Sequence, residues 1–229
     1  MTVALEGFHA VKHALRFAPE LVDSVTVNDP DEARRLADQL APDITTLLLE
    51  RASRGDVQHP TGVMGTAQRP VEDRSVLSVR RAPLVLLDEP RHPGNAGAVI
   101  RVAAAAGASG VASTGTLDPW HAAVVRGSAG LHYALPVLHA DPGEVSGPLL
   151  VLDADGDEGW EVPDNAVLVV GSERTGVGDE LRSRADQVVR LPMTTGVSSL
   201  NLATATAAAL YHWRLSGSMP ERPEHRARE

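Results

Sequence analysis

Six short strand candidates punctuate the later two-thirds of the chain: Leu84–Leu87, Gly110–Ser113, Ala134–Leu138, Leu149–Leu152, Val167–Val170 and Val188–Leu191. Most end in polar loops rich in Gly, Pro, Asp or Asn, and stretches with helical periodicity lie between them. Brief apolar runs without alternation are the pattern of strands buried on both faces, so the arrangement predicts an open, parallel α/β sheet. Alanine-rich residues 96–106 form one connecting helix, ended by Gly107, and Trp120–Arg126 a shorter one. At the C-terminal end, Leu202, Thr206, Ala209, Leu210 and Trp213 recur at helical spacing. That face is expected to pack on the sheet, with Ser198 or Ser199 as N-cap.

The first 70 residues read as a smaller α/β unit. Residues 7–17 form an amphipathic helix, 21–27 a strand, 31–40 a helix, 44–49 a second strand and about 62–67 a third. Charged residues 71–82 lack periodicity and read as a linker to a larger domain spanning 83–215. The polar tail 216–229 reads as disordered.

Composition sharpens this picture. Hydrophobic residues make up 43% of the chain and aromatic residues only 3%, so the core is built mostly of Ala, Val and Leu. No apolar run is long enough for a membrane span and no signal-peptide pattern opens the chain, so a cytoplasmic protein is expected. Absence of cysteine excludes disulfides, zinc–thiolate sites and a cysteine nucleophile, and no metal is expected. The formal charge of −9 argues against a nucleic-acid binder if taken alone. Placement outweighs the sum, however, and an arginine-lined face from Arg51, Arg54, Arg91, Arg101 and Arg126 is expected within acidic surroundings. Lys12 is the only lysine.

Loops at the carboxyl ends of parallel strands are where ligands bind, and the polar residues cluster there. Asn95-Ala96-Gly97-Ala98-Val99-Ile100-Arg101 opens a helix. Gly171-Ser172-Glu173-Arg174-Thr175-Gly176 follows one strand, and Leu191-Pro192-Met193 with Ser199-Leu200-Asn201 follows the last. No GxGxxG follows the first strand, which disfavours an ordinary dinucleotide site.

In order and spacing these segments resemble the three motifs of the SpoU/TrmH family of RNA 2′-O-ribose methyltransferases, within the SPOUT superfamily. Arg126-Gly127-Ser128-Ala129-Gly130, followed by Leu135-Pro136-Val137, is similar to a stretch between the first two motifs. The resemblance covers roughly residues 84–215. Gly7–Leu15 (GFHAVKHAL) and Gly62-Val63 resemble the L30e-like RNA-binding unit often fused to this family.

The resemblance implies a C-terminal trefoil knot, S-adenosylmethionine as methyl donor, a homodimer, and rRNA or tRNA as substrate, with rRNA favoured. Catalytic candidates are Arg101, Asn95, Glu173, Ser199 and Asn201. Donor-binding candidates are Thr114, Gly115, Gly171, Leu191, Met193, Ser199 and Leu200. RNA-binding candidates are Arg126, Ser128 and Arg91. Each has a plainer reading: Arg101 as a helix-face arginine, Asn95 as a helix cap, Glu173 as a turn glutamate, Ser199 and Asn201 as first-turn residues, Met193 as core, Ser128 as structural. Alternatives are a base methyltransferase of the same superfamily, an RNA-binding protein that keeps the fold without catalysis, and a metabolic enzyme with a nucleotide cofactor.

Overall fold

The structure is a computed structural model, and it describes residues 1–172 and 175–216. The chain opens with β1 (Thr2–Glu6), α1 (Phe8–Phe17), β2 (Val22–Val27), α2 (Pro30–Leu40), α3 (Thr45–Arg51), β3 (Ala52–Arg54) and β4 (Val63–Gln68). These strands form a mixed sheet in the order β1-β4-β2-β3. The sequence reading missed β1, although Val3 and Leu5 alternate with exposed Thr2 and Ala4. It also expected a strand at 44–49, where the structure has α3. A five- or six-residue apolar run does not tell strand from helix; here Thr45 and Leu48, three apart, are the buried pair of a short helix.

Six parallel strands follow: β5 (Leu84–Leu87), β6 (Gly110–Ser113), β7 (Val137–His139), β8 (Leu149–Asp157), β9 (Val167–Val170) and β10 (Gln187–Val189). Their spatial order is β10-β8-β9-β5-β6-β7, and every neighbouring pair is parallel. The expected parallel α/β sheet is therefore present, with the strand at 134–138 shortened and shifted. The strand expected at 149–152 runs on through the acidic residues 153–157 as β8.

Four helices accompany this sheet: α4 (Pro93–Ala106), α5 (Ala122–Gly127), α6 (Asp179–Ser183) and α7 (Leu202–Ser216). Alternate side chains of one strand enter different cores. Val85 and Leu87 of β5 join the cluster that contains Val99, Ile100, Val124 and Leu210, whereas Leu84 and Leu86 join Val151, Val169 and Leu181 on the opposite face. Val76 and Leu77, in a 3₁₀ turn at Arg74–Leu77, belong to that second core. Part of the expected linker is thus packed against the sheet. Phe8, Val11 and Leu15 of α1 share the first core with Ile100 and Tyr133, so one apolar cluster reaches across both sheets.

Two features of α4 fix its placement. Gly107 ends it in the left-handed conformation (φ 77°), as expected from sequence, and Arg214 of α7 donates to the last-turn carbonyl of Ala106 at 2.6 Å. Gly97 lies where a Cβ would come within 2.5 Å of the Val124 carbonyl oxygen and 2.7 Å of Gly127 Cα. Only glycine permits this close crossing of α4 over α5. No helix among the described residues is long and apolar enough to cross a membrane, and no metal-holding cluster occurs among them.

Candidate active site

A cavity of about 480 Å³ opens at the carboxyl ends of β8, β9 and β10. Its wall is Leu152, Asp153 and Ala154 from β8, Val170, Gly171, Ser172 and Gly176 at the end of β9, Val189, Leu191 and Met193 after β10, and Ser198 to Leu202 with Ala205 at the start of α7. The size is within the usual range for small-molecule sites. Its lining mixes an apolar floor with hydroxyls, an amide and backbone groups.

The loop after β9 is folded back on itself. Ser172 and Gly176 exchange backbone hydrogen bonds at 3.0 and 3.1 Å, and the Ser172 and Thr175 hydroxyls are 2.6 Å apart. A Cβ on Gly171 would lie 2.0 Å from the Gly176 carbonyl carbon. Glycine is therefore required there by chain crossing. Asp153 is held by Arg182. Glu173, a catalytic candidate, lies outside the described residues.

The two motif-bearing helices meet at the cavity's edge. Asn201, not Ser198 or Ser199, caps α7: its Oδ1 accepts from Ala203 N at 2.9 Å. That fixes the amide, and its Nδ2 donates to Asn95 Oδ1 at 3.2 Å. Asn95 does not cap α4, as the sequence suggested; His92 holds that position and Asn95 stands within the first turn. Gly171, Leu191, Met193, Ser199, Leu200 and Asn201 are thus brought to one cavity, with Asn95 tied to its edge.

The remaining candidates fall elsewhere. Thr114 and Gly115 do not line the cavity. Thr114 is buried; its hydroxyl donates to Asp88 Oδ1 at 2.8 Å and accepts from Glu89 N at 2.9 Å. Asp88 Oδ2 in turn accepts from Gly178 N at 2.7 Å. These bonds close the crevice between β5 and β9, the point where strand order reverses. Gly115 packs on Glu89 with φ 77°, and its carbonyl accepts from His139 at 2.7 Å. Ser128 is fully buried, so the expected RNA contact is corrected: its hydroxyl sits 2.7 Å from His132 Nδ1 and 2.9 Å from the Val125 carbonyl. Because the Pro119 carbonyl 2.8 Å from His132 Nε2 can only accept, Nε2 carries the proton. Burial lowers the His132 pKa to about 4, against the opposing Pro119 bond. Arg126 is exposed but paired with Glu6 at 2.7 Å, and Arg51 donates to the Pro19 and Val22 carbonyls, so neither is an open arginine of the expected face. Arg91 and Arg101 are exposed.

Sequence reasoning missed the β8 contribution of Leu152 to Ala154, because the acidic residues beyond Leu152 lack the apolar pattern of a buried strand. It also missed Asp88, whose burial beside Gly178 joins residues ninety positions apart.

The fold and site define a parallel-sheet α/β protein with a cavity of small-molecule size at the carboxyl edge of its sheet, shaped by a glycine crossing and two joined helix starts. The model of the SpoU rRNA Methylase family matches residues 82–211, more than half of the chain, and the chain belongs to that family. The 23S rRNA (uridine(2479)-2′-O)-methyltransferase of Streptomyces viridochromogenes is 32% identical over 205 residues, which cover 80% of this chain and 70% of the relative. RlmP of Bacillus subtilis, a 23S rRNA (guanosine(2553)-2′-O)-methyltransferase, is 29% identical over 93% of this chain and 88% of its own. Among solved structures, the SpoU methyltransferase AviRb from Streptomyces viridochromogenes in complex with AdoMet superposes with a TM-score of 0.76 at 26% identity, covering 94% of this chain and 92% of that one.

Proposed function

We propose that the chain is an S-adenosylmethionine-dependent methyltransferase acting on a ribose 2′-OH of rRNA. The observation that carries this reading is the Asn201–Asn95 bond, which joins two of the motifs at the mouth of the cavity. The residues present suit the donor. Gly171 keeps the wall at backbone thickness, Leu191, Met193 and Leu200 offer apolar surface, and Ser199 and nearby backbone groups offer polar contacts. When bound, S-adenosylmethionine supplies an electrophilic methyl group on a sulfonium.

The chain's own part is to bring a ribose hydroxyl into line and to stabilise the charge that develops on it. An alcohol is a weak nucleophile. Arg101 is a poor proton acceptor, since a guanidinium stays protonated at any working pH. Its role is to hold the reacting ribose and an adjacent phosphate and to favour the developing oxyanion. Asn95 and Asn201, each fixing the other's amide, position the sugar. Glu173 and Ser199 complete the candidate catalytic set. Arg91, which is exposed, is the RNA-contact candidate of this reading.

Three wider assignments belong to the same reading. Residues 1–70 act as an RNA-recognition unit of the L30e-like kind, joined through 71–82 to the methyltransferase domain 83–215. The chain from β8 to β9 and back across to β10 at the sheet edge, before α7, supports a knotted C-terminal segment. Exposed Val197, Leu200, Tyr211 and Leu215 support a homodimer that covers this face, working in the cytoplasm where rRNA is made.

The test uses labelled S-adenosylmethionine and unmodified rRNA and tRNA transcripts, with products digested to nucleosides for mass spectrometry. A 2′-O-methylnucleoside that disappears in Arg101→Ala is the expected result. A methylated base would overturn the ribose assignment, and absence of donor binding would overturn the methyltransferase reading altogether.

A further inference from the structure

Most basic side chains in this acidic protein are already engaged. Arg16 forks onto Asp43, Arg69 pairs with Glu72, Arg74 with Glu144, Arg126 with Glu6 and Arg190 with Glu158. Arg51, Arg80, Arg184 and Arg214 donate to backbone carbonyls. Lys12 and Arg101 make neither an ion pair nor a hydrogen bond among the described residues, as is also true of Arg34, Arg54, Arg81 and Arg91; Lys12 and Arg101 differ in that the two interact electrostatically.

These two come from different sheets' helices, yet their chain neighbours Val11 and Ile100 are packed into one apolar core. Helix α1 is docked on the Ala129–Gly130 turn: His13 Nδ1 donates to the Ala129 carbonyl at 2.7 Å, and Gly130 (φ 76°) lies so close to Ala10 that a Cβ would come within 2.7 Å of its carbonyl oxygen. His9 and Lys12 each stand one residue before a docking residue, about 100° around the helix, hence at the rim of the docked face. On α4, Gly97 faces Val124 and Gly127 of α5. Arg101 is four residues further on, so it projects on the same side of α4. His9 and Arg101 are exposed and Lys12 is half-buried.

The three groups sense one another, two of them cations and the third an imidazole that can donate a hydrogen bond. Burial lowers the Lys12 pKa, and Arg16 and Arg101 lower it further, with Asp43 opposing. Burial lowers that of His9 as well, followed by Lys12 and Arg101. Gathering like charges is unfavourable, and a chain with thirty acidic residues has ample means to neutralise them. An anion brought by the substrate does so instead.

We propose that His9 and Lys12 of α1 together with Arg101 of α4 form one cationic cradle for a backbone phosphate of the substrate RNA, beside the ribose to be methylated. The inference rests on the RNA methyltransferase reading and adds that the N-terminal helix reaches the reaction centre itself. Lys12 and His9 are positioning residues; Arg101 is shared between cradle and chemistry.

The test measures binding of an unmodified 23S rRNA transcript across a salt series, with donor affinity by calorimetry and methyl transfer alongside. Lys12→Ala is expected to weaken RNA binding roughly three- to tenfold and to reduce the log–log salt slope by about 0.7–0.9, the signature of one lost phosphate contact. Donor affinity stays unchanged, Lys12→Arg keeps RNA affinity, and His9→Gln gives a smaller loss in the same direction. In a double-mutant cycle with Arg101→Ala the two losses are expected to be less than additive, because both act on one phosphate. Additive losses overturn the shared cradle. Unchanged affinity and slope in both Lys12→Ala and the length-preserving Lys12→Gln overturn it as well, and leave the enzyme reading standing if the wild type still transfers methyl. A wild type that yields no 2′-O-methylnucleoside from any rRNA removes the reading beneath it.

Discussion

The carboxyl edge of the parallel sheet has two halves built alike and finished differently. Around β5, β6 and β7 the loops are locked: Thr114 bonds Asp88, Asp88 bonds Gly178, and His139 bonds the Gly115 carbonyl. Around β8, β9 and β10 the loops part, and a cavity of about 480 Å³ opens between them. In open α/β sheets the ligand crevice usually lies where strand order reverses. Here that point, between β5 and β9, is sealed by a buried carboxylate, and the open space is displaced to the far side of β9. Buried polar groups that satisfy one another make a scaffold; a binding site needs loops that leave theirs turned toward the ligand.

The largest effect is expected on the open half. Gly171→Ala places a methyl group against the Gly176 carbonyl, so donor affinity measured by calorimetry should fall at least about a hundredfold, with methyl transfer lost in step. An unchanged affinity would show that the crossing at Gly171 does not shape the donor site.

On the locked half, His132 makes stability depend on pH. Its folded pKa, about 4, lies below the 6.5 of the unfolded chain, so the unfolded state binds the proton more readily. Stability is full above pH 6.5, declines as pH falls toward 4, and loses nothing further from this group below that. The gap corresponds to at most about 3 kcal/mol. Thermal melts across that range should show the decline, and His132→Gln should flatten it.

A smaller effect separates scaffold from site. Asp88→Ala strands the Thr114 hydroxyl and the Gly178 amide, which should cost about 1–3 kcal/mol in denaturant melts. Donor affinity should change less than twofold; a large loss would mean that the sealed crevice takes part in binding. Smallest in stability is Asn201→Ala, expected to cost about 1 kcal/mol through the lost cap. Its effect on methyl transfer should exceed that cost many-fold, because the bond that ties Asn95 to the start of α7 is lost.

The sheet was legible because strands buried on both faces leave unbroken apolar runs, and α4 and α7 because helical spacing and Gly107 mark them plainly. The motif residues Gly171, Leu191, Met193, Leu200 and Asn201 were legible as a set. Thr114 and Gly115 stand outside the cavity lining, which the sequence does not reveal, because a polar loop after a strand looks the same whether it faces a ligand or a neighbouring loop. Ser128 was misplaced since a serine among glycines reads as surface until His132, four residues on, is seen to enclose it. The short run at 44–49 carried no period long enough to separate helix from strand.

The sequence by itself determined the class of the fold, the family and the motif residues gathered at the cavity, because each depends on local pattern or on motif identity and order. Only the tertiary structure decided which half of the sheet edge is open, that Asn201 rather than a serine caps α7 while holding Asn95, and that α1 carries Lys12 to the side of Arg101. Those outcomes depend on pairings between residues some ninety or more positions apart. Such contacts follow from how the packed elements meet, and no local pattern in either partner encodes them.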